Sequence, residues 1–154
     1  MFNIVLIEPE IPPNTGNIGR LCLATGSTLH LVGPLGFSLD DKSLRRAGLD
    51  YWPELNVQRW DDFESLRVDF EEKSPAASFY FLTTKTEQAY WLAEFAEGDC
   101  LVFGSETRGL PESLLQKNKS QCLTIPQTAG RSLNLATSVG IVLYEGVRQS
   151  QSGS

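Results

Sequence analysis

Residues 101–111 read Leu101-Val102-Phe103-Gly104-Ser105-Glu106-Thr107-Arg108-Gly109-Leu110-Pro111, and the way this stretch is read decides the fold. With Cys100 it begins as a four-residue apolar run ending on glycine, the pattern of a short strand covered on both faces. Gly104 has no Cβ, so a ligand or another backbone can come close to it. Glu106 and Arg108 then sit on a turn closed by Gly109 and Pro111. In open α/β sheets ligands gather beyond the carboxyl ends of strands, which makes this turn a candidate site. An Arg/Glu ion pair on an ordinary β–α turn accounts for the same two charges.

Working outward, five more strands are predicted: Phe2–Ile7, Leu29–Val32, Asn56–Trp60, Ala77–Thr83 and Cys122–Ile125, beside Cys100–Phe103. Helices are predicted between them. Asn14 or Thr15 caps the first, which runs to about Thr25 and stops at Gly26. A second starts at Ser38-Leu39-Asp40-Asp41, with Arg45 and Arg46 near its end. An acidic surface helix covers Asp61–Glu72, capped by Asp61. The last covers Ser132–Arg148, and Gln149–Ser154 is a loose tail. Strands alternating with helices predict an α/β fold with a mostly parallel sheet, in one domain over residues 1–154. Neither GxGxxG nor GxxxxGK[ST] follows a strand, so the usual dinucleotide and nucleoside-triphosphate readings fail.

Two further glycine-bearing segments follow strands. Asn14-Thr15-Gly16-Asn17-Ile18-Gly19-Arg20 opens the first helix, where free N–H groups suit an anion. A plain capped helix with a solvent-facing arginine is the simpler reading. Ile125-Pro126-Gln127-Thr128-Ala129-Gly130-Arg131-Ser132-Leu133-Asn134 leads into the last helix, with Ser132 as its expected N-cap. That helix carries apolar residues around most of its circumference and one charge before Arg148, Glu145. This pattern predicts burial on more than one side. Ala136 and Gly140, four apart, are suited to the approach of a partner backbone, and a homodimer is expected.

The net charge of −6 argues against a nucleic-acid partner at first sight. The acid is regional, however: residues 54–100 hold 11 acids and 4 bases, and the remainder holds 8 acids and 9 bases. No apolar run approaches the ~20 residues of a membrane helix. The N-terminus lacks the pattern of a signal peptide, so a cytoplasmic location is expected. Cys22, Cys100 and Cys122 are odd in number and widely spaced, and His30 is the single histidine. A structural zinc site is therefore not expected; the thiols read as buried and reduced. His30 reads as a strand residue on the polar face.

Taken together, the three segments resemble the SPOUT superfamily of RNA methyltransferases. Within it they are similar to the small tRNA (cytidine/uridine-34)-2′-O-methyltransferases. The likeness also runs through Glu8-Pro9-Glu10-Ile11-Pro12, Pro34-Leu35-Gly36-Phe37, Asp41–Tyr51 and Leu82-Thr83-Thr84-Lys85. It implies a deep C-terminal trefoil knot, which no compositional argument predicts because true knots are very rare. It implies S-adenosylmethionine as cofactor and an obligate homodimer with the active site at the interface. By position it assigns Leu82, Thr83, Gly104, Ile125, Gln127, Ser132 and Leu133 to the cofactor. The polar set of the related enzymes falls on Asn14, Arg20, Glu106, Ser132 and Asn134.

The implied reaction is in-line methyl transfer from a sulfonium to the ribose 2′-oxygen of the wobble nucleotide of tRNA, with no metal required. Orientation is the main contribution asked of such a site. Arginine does not readily act as a base, since its pKa lies above about 12. Arg20 is therefore expected to hold a phosphate and stabilise developing negative charge, with Ser132 and Asn134 positioning the ribose. Glu106 is expected to orient Arg20 or Asn14. Lys42, Arg45, Arg46, Arg108 and Arg131 are expected on the RNA side, with the 61–72 helix facing away. Two other readings stay open: a methyltransferase acting on ribosomal RNA, and a non-catalytic RNA- or nucleotide-binding module. The single-stranded anticodon loop suits a small protein better than a ribosomal target.

Overall fold

The computed structural model describes residues 1–38, 42, 49–130 and 132–152. In chain order it contains β1 (Asn3–Ile7), α1 (Pro12–Thr25), β2 (Thr28–Val32), β3 (Val57–Trp60), α2 (Phe63–Lys73), β4 (Phe79–Leu82), β5 (Cys100–Phe103), α3 (Glu112–Lys117), β6 (Cys122–Leu123) and α4 (Leu135–Ser152). Short 3-10 segments lie at Leu49–Glu54, Tyr90–Leu92 and Lys119–Gln121. The six strands form one sheet in the order β3-β2-β1-β5-β4-β6. Every pairing in it is parallel.

Side chains alternate across the sheet, so each strand feeds two cores. Ile4 and Leu6 of β1, Leu29 and Leu31 of β2, and Leu101 and Phe103 of β5 point to one face. There they meet Ile18 and Cys22 of α1 and Val139, Val142 and Leu143 of α4. Val5, Ile7, Val32, Cys100 and Val102 point the other way, toward Leu66 and Phe70 of α2 and Leu115 of α3. The double coverage explains why the inner strands are uninterrupted apolar runs.

Several boundaries differ from expectation for identifiable reasons. α1 starts at Pro12, before both expected caps. Proline at the first two helical positions lacks an N–H that would need a partner. Its far end is as expected, with Gly26 at φ 68°. α2 is capped by Asp62, whose Oδ1 accepts from the Ser65 N–H at 2.8 Å. β6 stops at Leu123 because Thr124 turns its hydrogen bonds to the 88–90 segment. α4 is capped by Asn134, whose Oδ1 accepts from the Thr137 N–H at 3.2 Å; Ser132 is not its cap.

The end of α4 is also no loose tail. The helix continues to Ser152, and Gln149 accepts from the Phe95 N–H at 2.8 Å while donating to the Ala93 carbonyl at 3.0 Å. Gly140 faces its own chain, where a Cβ would meet Leu21 of α1. His30 is 2% exposed rather than on a polar face. Its ring bridges Asn3 and Trp60 at 2.9 and 3.0 Å, which satisfies both nitrogens inside the layer between sheet and α2. The helix expected from Ser38, with Arg45 and Arg46, lies largely outside the described residues, as does Arg131.

Candidate active site

The carboxyl ends of β4, β5 and β6 open onto a cleft of about 460 Å³. The loops 82–85, 103–110, 124–127 and 132–135 line it, with Ile11 and Asn14 of the α1 entry. Its volume falls in the usual range for small-molecule sites. Among the residues described, the three glycine-bearing segments of the sequence all reach this cleft.

Local geometry begins at Gly104. A Cβ there would overlap the Gly109 carbonyl carbon and the Leu110 nitrogen, so the chain can double back tightly only with glycine. The turn is held by the Gly109 N–H on the Ser105 carbonyl at 3.0 Å and the Arg108 N–H on Ser105 Oγ at 3.2 Å. Gly109 takes φ 68°, which closes it.

This tight turn carries Glu106 to the entry of α1. Its Oε1 accepts from the Glu10 N–H at 2.9 Å, and its Oε2 accepts from the Ile11 N–H at 2.8 Å. Ile11 is the N-cap and offers no side-chain cap. Glu106, 95 and 96 residues away, instead holds the backbone N–H groups of the two residues that precede the helix, and its negative charge suits the positive end of the helix dipole. Glu10 reciprocates by accepting from the Thr107 N–H and hydroxyl at 3.1 and 2.7 Å. Those two hydrogen bonds hold the Glu10 carboxyl below its ordinary range.

Glu106 Oε2 also accepts from Asn14 Nδ2 at 3.2 Å. With its nitrogen so occupied, Asn14 turns its oxygen to Asn134 Nδ2 at 3.1 Å. Glu106, Asn14 and Asn134 thus form one hydrogen-bonded line that joins all three segments. Of the two expected partners for Glu106, the structure selects Asn14.

Of the remaining assigned residues, Leu82, Thr83, Gly104, Ile125, Gln127, Ser132, Leu133 and Arg108 all line the cleft. Leu82, Ile125 and Leu133 are apolar, while Thr83, Gln127 and Ser132 are polar. That mixture fits a ligand with a flat heteroaromatic base and a hydroxylated sugar. Arg108 lies 3.6 Å from Glu8, the one non-glycine residue with positive φ (51°) among those described.

Arg20 does not line the cleft of its own chain. Six residues along a helix turn it about 120° away from Asn14, and its side chain is exposed. Lys42 is exposed and also outside the lining. No residue of the acidic α2 helix reaches the cleft, as the charge division predicts. Lys85, in the Leu82-Thr83-Thr84-Lys85 stretch, has no role predicted from the sequence. It lines the cleft and pairs with Glu112 at 2.8 Å. A cation placed three residues past the end of a strand is the signal that could have found it.

Residues 1–144 match the model of the SpoU rRNA methylase family. A tRNA (cytidine(34)-2′-O)-methyltransferase from Burkholderia ambifaria is 49% identical over 155 residues, which is 97% of this chain and 96% of that protein. A solved structure described as giving insight into 2-OH methylation of C/U34 on tRNA superposes with a TM-score of 0.91. It is 42% identical and covers 100% of this chain and 98% of its own. A SpoU methyltransferase from Streptomyces viridochromogenes, solved with the cofactor AdoMet, superposes with a TM-score of 0.86 at 25% identity. That match covers 98% of this chain and 61% of the other.

Proposed function

This chain belongs to the SpoU rRNA methylase family, and on that premise we propose that it transfers a methyl group from S-adenosylmethionine to the ribose 2′-hydroxyl of nucleotide 34 of tRNA. The nucleotide is cytidine or a modified uridine. The observation that carries this reading is the Glu106–Asn14–Asn134 line at the rim of a cleft built from strand carboxyl ends. The substrate follows the relatives, which match over nearly their whole length. That overlap favours tRNA over ribosomal RNA as the target.

Leu82, Thr83, Gly104, Ile125, Gln127, Ser132 and Leu133 hold the cofactor. When bound, it would supply a sulfonium-activated methyl group, whose transfer to the 2′-oxygen would leave the neutral thioether and release the hydroxyl proton to water. Asn134 and Ser132 position the ribose. Glu106 acts on Asn14, fixing which way its amide points, and Asn14 in turn fixes Asn134. A line of three hydrogen-bonded groups holds the reacting oxygen in place, and orientation of this kind can account for several kcal/mol of a barrier.

The family's deep trefoil knot, a single methyltransferase domain over residues 1–154 and an obligate homodimer are parts of the same proposal. The dimer is supported by Leu23 of α1 and Tyr144 of α4, which leave 37% and 46% of their surface exposed on two helices that pack together. In that dimer Arg20 serves the cleft of the second subunit, where its cation holds a phosphate and stabilises charge building on the 2′-oxygen. A cytoplasmic location completes the reading. Among the described residues no helix is long and apolar enough to cross a membrane.

The test is methyl incorporation from labelled S-adenosylmethionine into bulk tRNA, followed by mapping of the product. A 2′-O-methyl group at nucleotide 34 is expected, and none when that ribose is 2′-deoxy. Methylation that persists on the deoxy substrate would place the chemistry on a base.

A further inference from the structure

Among the described residues two cations line the cleft, Lys85 and Arg108. Arg108 was expected near RNA from the sequence; Lys85 was not assigned. Lys85 follows β4 in a turn where its own N–H donates to Thr83 Oγ1 at 3.1 Å. Its Nζ meets Glu112 Oε2 at 2.8 Å, with both side chains about 60% exposed. Glu112 is steadied on its other oxygen by Gln116 Nε2 at 3.3 Å. The pair therefore spans the rim, from a cofactor-side loop to the first turn of α3.

An ion pair this exposed contributes little to stability, because water competes for both partners and two long side chains are immobilised. The same weakness makes it easy to exchange. A backbone phosphodiester entering the cleft offers the ammonium group one negative charge shared over two free oxygens, as Glu112 does, and the dense charge of the polyanion with its release of counterions drives the exchange. We propose that Lys85 is a phosphate-binding residue for the RNA substrate, and that Glu112 is the counter-ion it gives up on binding. The inference rests on the proposed function and adds to it a named contact and a built-in competitor. It also explains how a chain of net charge −6 presents cations to RNA. Both described cleft cations are matched internally, Lys85 by Glu112 and Arg108 by Glu8, until a polyanion arrives.

Opposite effects of the two partners test this. Glu112→Gln removes the competitor, and tRNA affinity is expected to rise about two- to fivefold, the range set by exposed pairs. Lys85→Gln removes the ligand, and affinity is expected to fall about tenfold. The slope of log affinity against log salt should become shallower by about 0.7 in the lysine variant, the value for one phosphate on a single strand. Affinity for S-adenosylmethionine should stay unchanged in both. If both variants weaken RNA binding alike, the pair is a structural clamp and the proposal falls. It falls equally if Lys85→Gln loses cofactor affinity while tRNA affinity holds, because the anion is then the methionine carboxylate. Failure of the wild-type protein to methylate tRNA would overturn the proposed function itself, and this inference with it.

Discussion

His30 sits between two partners that leave it one arrangement. Trp60 Nε1 can only donate, so His30 Nδ1 accepts, and the ring proton lies on Nε2, facing Asn3 Oδ1. Protonating Nδ1 would set two donors against each other. Burial is the main cause that pushes the His30 pKa down to about 4, with nearby Asp69 opposing it weakly. The folded state thus favours the neutral ring, and its stabilisation is complete above the ordinary pKa of about 6.5. It is lost as pH falls from about 6.5 toward 4, by at most ~3 kcal/mol. Melting temperature measured across that window should drop, and His30→Gln, which can both accept and donate, should flatten the slope. An unchanged slope in the variant would put the acid sensitivity elsewhere. At Glu106 the chemistry is stricter still. Glu106→Gln sets an amide donor against groups that already donate, at a cost of about 1–3 kcal/mol. Methyl transfer should fall roughly 10- to 100-fold through misplacement of Asn14 and Asn134, read as kcat with cofactor affinity measured alongside.

At the scale of elements, two glycines show how differently a missing Cβ can matter. At Gly104 an added methyl would overlap backbone of the same turn; backbone cannot swing aside. At Gly146 it would meet the ring edge of Phe2 at 2.9 Å, and a side chain can shift by tenths of an ångström. Gly104→Ala is expected to cost 3 kcal/mol or more, at or beyond the upper end of about 1–3 for overpacking, and to displace Glu106. Gly146→Ala should cost about 1 kcal/mol, or less. Urea unfolding of the two variants gives the comparison, and equal losses would show that the 104–109 turn is not held as described. Strands were legible from sequence because burial on both faces leaves continuous apolar runs. Helix starts were read less well. The sequence rule looks for a local cap, and α1 has none: prolines fill its first two positions, and the Asn14 and Thr15 N–H groups go to the Ile11 carbonyl. Ser132 resembled a cap by type, yet Asn134 holds the position that reaches the third helical N–H.

For the molecule as a whole, the exposed position of Arg20, outside the cleft lining, leads to a prediction about assembly. The family resemblance implies one polar set containing Arg20 and Asn14, and a single helix turns the two apart. If the set is completed by a second subunit, Arg20→Ala should abolish methyl transfer and spare cofactor binding. Asn134→Ala should be inactive for a separate reason. Mixing the two inactive proteins should then restore up to about a quarter of wild-type activity on random pairing, since half the molecules are mixed dimers with one intact site in two. No restoration under conditions of subunit exchange, or a monomer by light scattering at micromolar concentration, would refute the shared site. Surface charge was legible as a division along the chain, and α2 lies away from the cleft accordingly. The exception is Lys85, which belongs to the acidic stretch by sequence and to the cleft by folding.

The line from Glu106 through Asn14 to Asn134 links positions separated by 92 and 120 residues. No fragment of the chain short of Asn134 can contain it. During synthesis this line cannot form until residue 134 has left the ribosome, so the three-segment site is assembled only after folding has brought α4 against the sheet. After release, cofactor at a hundred times its dissociation constant would add about 2.7 kcal/mol to global stability by mass action. Bound S-adenosylmethionine would in this way stabilise the fold as well as supply the methyl group.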